Sequence, residues 1–124
     1  MSKIHGEMRI WRKHLKGSRM KNIVGLFDGI SCLQIALNKV GIRYENYYAS
    51  EIDKHCMNIT QKNYPSTIQI GDICDLTKAD FPNEIDLLVG GSPCQDFSLM
   101  GNQLNFSGNR SRLFFEYLRL KNDL

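Results

Sequence analysis

The sequence predicts an α/β fold, a doubly wound (Rossmann-like) parallel sheet of about four strands. Three observations carry this expectation. Short apolar runs alternate with amphipathic stretches from Lys21 onward, the pattern of β-α-β units. Turn signals at Asp28-Gly29, Gly71-Asp72 and Gly90-Gly91 close three of the runs. Polar and acidic residues directly follow the runs, where an open parallel sheet places its ligands.

Taken in order, residues 23–27 form an apolar run of buried-strand type that stops at Asp28-Gly29. Ser31 is placed to cap the next helix. In that helix Leu33, Ala36, Leu37 and Val40 share a face, and Gly41 ends it. A second strand at residues 47–50 leads through Glu51 to a helix that Asp53 is able to cap. Ile52, Cys56 and Ile59 fall on one side of this helix, and Pro65 marks its end. A weaker third strand covers residues 67–70. The fourth, residues 85–89, is bounded by Asn83 and by Gly90-Gly91. The polar, Gly- and Asn-rich stretch 96–109 is too irregular for a regular element and suits a functional loop. Residues 111–121 read as a helix whose Leu113, Phe114, Tyr117, Leu118 and Leu120 supply a sheet-packing face.

Length and composition set limits. A chain of 124 residues, 42% hydrophobic and 23% charged, is expected to form at most one soluble globular domain. It has no long apolar run, and no apolar segment follows the basic start as in a signal peptide, so a cytoplasmic protein is expected. Cys32, Cys56, Cys74 and Cys94 lie far apart with no paired close spacing. That spacing argues against a zinc site and for reduced thiols. The net charge of +3 is uneven: residues 1–22 hold seven Lys or Arg against one acid, Glu7, so the body is mildly acidic. Residues 1–20 are expected to form a basic, disordered extension, or to lie upstream of a start at Met20. A DNA-contacting arm is the less favoured reading of the same charges.

The residues just past the strands gather the candidates for chemistry. They are Asp28, Gly29, Ile30 and Ser31 after the first, Glu51 after the second, and Asp72 after the third. Gly90 to Gln95, with Cys94, follow the fourth. A Gly in the first turn allows close backbone approach, and an acid about 20 residues on suits ribose hydroxyls. Glu51 follows Gly29 by 22 positions. This geometry serves NAD, FAD and S-adenosylmethionine alike. The first turn, however, lacks the G-x-G-x-x-G pattern that cradles a pyrophosphate, which lowers a dinucleotide oxidoreductase reading. Asp28 would repel phosphate and suits a ligand with cationic groups, such as the amino and sulfonium centres of S-adenosylmethionine. Each acid alone is more commonly a cap, turn or surface residue, and Cys94 alone a small buried hydrophobe. Their recurrence at successive strand ends is what gives them weight.

These residues carry a family likeness. The run Gly90, Gly91, Ser92, Pro93, Cys94, Gln95, Asp96, Phe97, Ser98 resembles the Pro-Cys loop of cytosine-5 DNA methyltransferases. Leu26, Phe27, Asp28, Gly29, Ile30 looks like that family's first cofactor motif, in a form nearest its de novo branch. Ser50, Glu51, Ile52 and Gly71, Asp72, Ile73 look like the second and third. Arg112, Leu113, Phe114, Phe115, Glu116 is similar to the helix after the catalytic loop. The resemblance runs in order over residues 21 to about 120 and implies that 21–124 is the N-terminal part of a methyltransferase catalytic domain.

The resemblance implies S-adenosyl-L-methionine as cofactor and double-stranded DNA with a flipped cytosine as substrate, within restriction-modification biology. Cys94 would be the nucleophile that attacks C6 of the base. Asp28, Gly29 and Ser31 would hold the methionine part of the cofactor, and Glu51 its ribose hydroxyls. Ile52 would pack on the adenine and Asp72 would accept from its amino group, with Ile73 alongside. Pro93 would line the methyl-donor side, and Leu113 would complete the pocket. The family's Glu-Asn-Val motif, an Arg-containing motif, a target-recognition region and a returning last helix do not occur in these residues. The expectation is therefore a fragment with little or no activity alone: a truncated gene, a split enzyme whose second chain supplies the missing half, or an incomplete sequence. A non-catalytic S-adenosylmethionine-binding regulatory module is the alternative.

Overall fold

The computed structural model describes residues 17, 19–91 and 112–124. Among these, strands β1 (Arg19–Leu26), β2 (Arg43–Ser50), β3 (Ile68–Gln69) and β4 (Leu87–Gly90) form one parallel sheet in the order β3-β2-β1-β4. Parallel neighbours need crossover connections. Helix α1 (Cys32–Val40) joins β1 to β2, and α2 (Lys54–Asn63) joins β2 to β3. Two 3-10 turns, Ile73–Asp75 and Lys78–Asp80, lie between β3 and β4, and α3 (Arg112–Asp123) follows. The chain builds outward from β1 to β3, then returns to the other flank of β1. In open parallel sheets with such a reversal, ligands bind beside the carboxyl ends of the flanking strands, here β1 and β4.

β1 is buried on both sides, which is why it reads as an unbroken apolar run rather than an alternating one. Val24 and Leu26 join one core cluster with Ile73, Leu76, Phe81 and Leu120, against which Leu113 and Tyr117 pack. Ile23 joins the other with Leu37, Ile42, Tyr47 and Ala49. The 3-10 segment and α3 thus contribute to one core, and α1 to the other. The predicted α/β doubly wound order is present.

The strands are longer at their starts than the sequence suggests. β1 begins at Arg19 instead of residue 23, and β2 at Arg43 instead of 47. Polar side chains at these positions hide the strand from a hydrophobicity reading, while the backbone already pairs at Arg19↔Arg43, Met20↔Tyr44 and Asn22↔Asn46. Polar groups close this end. Asp86 accepts from the Lys21 and Asn22 amides at 2.6 and 2.9 Å, and Asn22 Nδ2 donates to the Glu84 carbonyl at 2.8 Å. β4 is displaced to Leu87–Gly90, and β3 is shorter than predicted.

The helices keep their places but turn their faces. In α1, Leu37 is buried, whereas Val40 is 43% exposed and Ala36 faces solvent. The buried partner is Gln34, whose amide donates to Ser31 Oγ and Thr67 Oγ1 at 2.8 Å each and accepts from the Tyr44 hydroxyl at 2.7 Å. A glutamine with this many hydrogen bonds can be buried at little cost. In α2 the buried residue is Thr60, and Ile59 is 43% exposed. Asp53 caps α2 as expected, accepting from the His55 and Cys56 amides.

Candidate functional site

The carboxyl rim is bound together turn by turn. The Asp28 amide donates to the Ser50 carbonyl at 3.1 Å, and the Gly29 amide to Glu51 Oε2 at 2.7 Å, so the first and second turns share two bonds. Ser50 Oγ donates to the Gly71 carbonyl at 2.7 Å, joining the second turn to the third. Glu51 Oε1 also accepts from the Ile52 and Asp53 amides at 2.9 and 3.0 Å, which fixes the carboxylate over the rim. From α2, Thr60 donates to the Gly29 carbonyl at 3.3 Å.

The first turn is the most constrained segment. Phe27, Gly29 and Ser31 all have positive φ, at 53°, 59° and 66°. For a non-glycine residue that conformation costs on the order of 1 kcal/mol, and such costs collect where ligands are held. A Cβ at Gly29 would meet nothing within 4 Å, so space is open beside its backbone. Ser31 occupies the cap position of α1 without capping it. Its left-handed backbone turns the hydroxyl inward to accept from Gln34, and the residue is fully buried.

Asp28 is the unusual group. Its Oδ1 accepts from the Tyr47 hydroxyl at 2.5 Å, while Oδ2 is buried without a hydrogen-bond partner among the described residues. Burial raises its pKa above the ordinary carboxylate value, the hydroxyls of Ser31 and Tyr47 act against that rise, and the Glu51 charge adds to it. Tyr47 is pushed up in turn, first by its own burial and then by Asp28. Sequence reasoning missed Tyr47, because a tyrosine in a strand reads as core.

The other expected residues divide. Ile52 stands 69% exposed beside Glu51, an apolar surface left to water. Asp72 lies on the rim and accepts from the Cys74 amide at 2.9 Å, capping the first 3-10 turn. Ile73 departs from expectation: its side chain is 3% exposed and belongs to the core, so a ligand there could meet only its backbone. Leu113 packs against that same core cluster. Arg119 of α3 donates to the Ile73 and Leu76 carbonyls at 3.3 and 2.9 Å, tying α3 to the third turn. Pro93 and Cys94 lie outside the described residues, as does the loop 96–109. Cys32, Cys56 and Cys74 are free thiols.

Comparison with known proteins follows the same order along the chain. Residues 21–123 match the family model for C-5 cytosine-specific DNA methylase. The orphan methyltransferase M.SPRI of Bacillus phage SPR is 40% identical over 98 residues, covering 77% of this chain and 22% of that protein. The type II methyltransferase M.NgoPII of Neisseria gonorrhoeae is 38% identical over 99 residues, covering 79% and 28%. The type II methyltransferase M.AquIA of Picosynechococcus is 35% identical over 108 residues, covering 81% and 43%. The chain thus spans less than half the length of these relatives. With a family match running from the third residue of β1 to the end of α3, and the rim residues falling inside it, this chain belongs to the C-5 cytosine-specific DNA methylase family.

Proposed function

We propose that this chain forms the S-adenosylmethionine-binding part of a DNA cytosine-5 methyltransferase. The observation that carries the reading is the Glu51 carboxylate, locked to the Gly29 amide at 2.7 Å between two strand ends, with exposed Ile52 beside it. A carboxylate so fixed accepts from ribose hydroxyls without reorganising, and an exposed isoleucine next to it suits a flat apolar ring. The orphaned Asp28 Oδ2 and the open space beside Gly29 fit the cationic, methionine-like end of the same ligand. Asp72 supports the adenine amino group.

When bound, S-adenosylmethionine supplies an electrophilic methyl on its sulfonium. Cys94, as thiolate, would add to C6 of a flipped cytosine and make C5 nucleophilic enough to take that methyl, with S-adenosylhomocysteine leaving; loss of the C5 proton and of the thiolate would then release 5-methylcytosine in the DNA. Cys94 follows Gly91 by three residues, and a chain of that length reaches at most about 11 Å, which supports its working at this rim.

The test is duplex DNA carrying 5-fluorocytosine, with S-adenosylmethionine and, in parallel, a complementing chain that covers the rest of a relative's length. A covalent adduct mapping to Cys94, lost in Cys94→Ala, is expected. No adduct under either condition, or one that survives the substitution, removes the catalytic assignment. The described rim supports binding, and the residue proposed for the chemistry lies outside the described residues, so a second reading stands beside the first. In it, saturable binding of S-adenosylhomocysteine without rescue of methylation identifies a regulatory module.

A further inference from the structure

Gly25 on β1 leaves a slot in the sheet that no cofactor motif explains. Gly25 sits two residues above Ile23, which pairs with Tyr47 across the β1-β2 ladder. A Cβ built at Gly25 would collide with both the Tyr47 hydroxyl and Asp28 Oδ1, and would come within 3.1 Å of Tyr47 Cζ. The missing side chain is thus the passage through which a phenol from the core reaches the first turn. Tyr47 is 2% exposed, so its ring has no alternative position in solvent, and its hydroxyl ends 2.5 Å from Asp28 Oδ1.

We infer that Gly25 and Tyr47 form a clamp that holds the Asp28 carboxylate by one oxygen and reserves the other, Oδ2, for a ligand ammonium. Tyr47 is a positioning residue in this arrangement, acting on the ligand only through Asp28. The inference rests on the S-adenosylmethionine reading of the rim and adds the device that aims its counter-charge. A buried acceptor without a partner is rare in folded proteins and is commonly completed by water, ion or ligand. An amino acid ammonium completes it with charge as well as a hydrogen bond. The groups that act on this carboxylate are Ser31 in its own turn, Tyr47 on β2 and Glu51 after β2; Tyr44 on β2 is coupled to it through charge.

The experiment compares three ligands by isothermal titration against the 124-residue chain: S-adenosylmethionine, S-adenosylhomocysteine and 5′-methylthioadenosine, which lacks the amino acid. Tyr47→Phe is expected to weaken the two amino-acid-bearing ligands about tenfold, the worth of one hydrogen bond to a charged group, and to leave 5′-methylthioadenosine within about twofold. Lowering the pH should weaken the first two ligands as Asp28 gains a proton, and in Tyr47→Phe this loss should begin at a higher pH. In an Asp28→Asn background, Tyr47→Phe should add little, because the two act through one carboxylate. Equal losses for all three ligands, or additive losses in the double variant, overturn the clamp. Should Tyr47→Phe not fold, Asp28→Asn alone decides: unchanged preference for the amino-acid-bearing ligands refutes the inference. If wild type binds none of the three, the rim reading itself fails, which is a separate result.

Discussion

Substituting Gly25 of β1 by alanine puts the close approach of Tyr47 and Asp28 to a direct stability test. The added methyl would occupy space already filled by the Tyr47 hydroxyl and Asp28 Oδ1, and neither can yield easily. Tyr47 is held in the core with Ile23, Leu37, Ile42 and Ala49, and the Asp28 backbone is pinned by its bond to Ser50. Overpacking of this kind costs about 1–3 kcal/mol. Separating the phenol from the carboxylate adds the loss of a hydrogen bond to a charged group, about 1.5–3 kcal/mol. Alanine recovers roughly 0.5–1 kcal/mol through its lower unfolded-state entropy in a strand. The net expectation is a loss of about 2–5 kcal/mol, read by urea titration, with an unchanged m-value if the unfolded state is unaffected. Gly29→Ala is the internal control: its Cβ meets nothing, so only the left-handed backbone resists, at about 1 kcal/mol. A Gly25→Ala protein within about 0.5 kcal/mol of wild type would refute the claim that the slot is filled.

Three further outcomes are expected. Asp28→Asn should raise ligand-free stability at neutral pH. The folded pKa of Asp28 lies above its unfolded value, so the native state binds the proton more tightly and stability falls as pH rises from the unfolded pKa through the folded one. The advantage of the amide should therefore shrink toward zero in thermal melts below about pH 3.8, and an advantage that persists there counts against the burial argument. Glu51→Gln keeps the shape but loses an acceptor for the Gly29, Ile52 and Asp53 amides. About 1–2 kcal/mol of stability should go, with roughly tenfold weaker S-adenosylhomocysteine binding by calorimetry, and full retention of both contradicts the rim geometry. Arg119→Met preserves the aliphatic stem while removing the donors to Ile73 and Leu76, so hydrogen exchange in α3 should accelerate, without an equal change in β1, at a cost of about 1 kcal/mol.

Much of the architecture was legible because burial writes itself into β1 as a continuous apolar run and into the turns as Gly and Asp. The strand-end rule located Asp28, Glu51 and Asp72 correctly at one rim, since each follows its strand within a few residues. What escaped the reading has physical causes. Arg19 to Asn22 and Arg43 to Asn46 form strand through backbone pairing at a largely polar sheet end, which hydrophobicity does not record. Gln34 replaced Val40 on the buried face because three hydroxyl groups satisfy its amide, a condition set by residues up to 33 positions away. The two 3-10 turns are three residues each, too short to show a period. Tyr47 was invisible as a rim residue because its ring belongs to the core and only its oxygen arrives at the turn.

Ile52 has a thermodynamic consequence. An isoleucine 69% exposed forces water to order around it in the empty protein, and a ring laid over it releases that water. Complex formation should then carry a negative heat-capacity change, so that the measured enthalpy becomes more favourable on warming. In Ile52→Ser the slope of enthalpy against temperature should flatten, because less hydrocarbon remains to be dried.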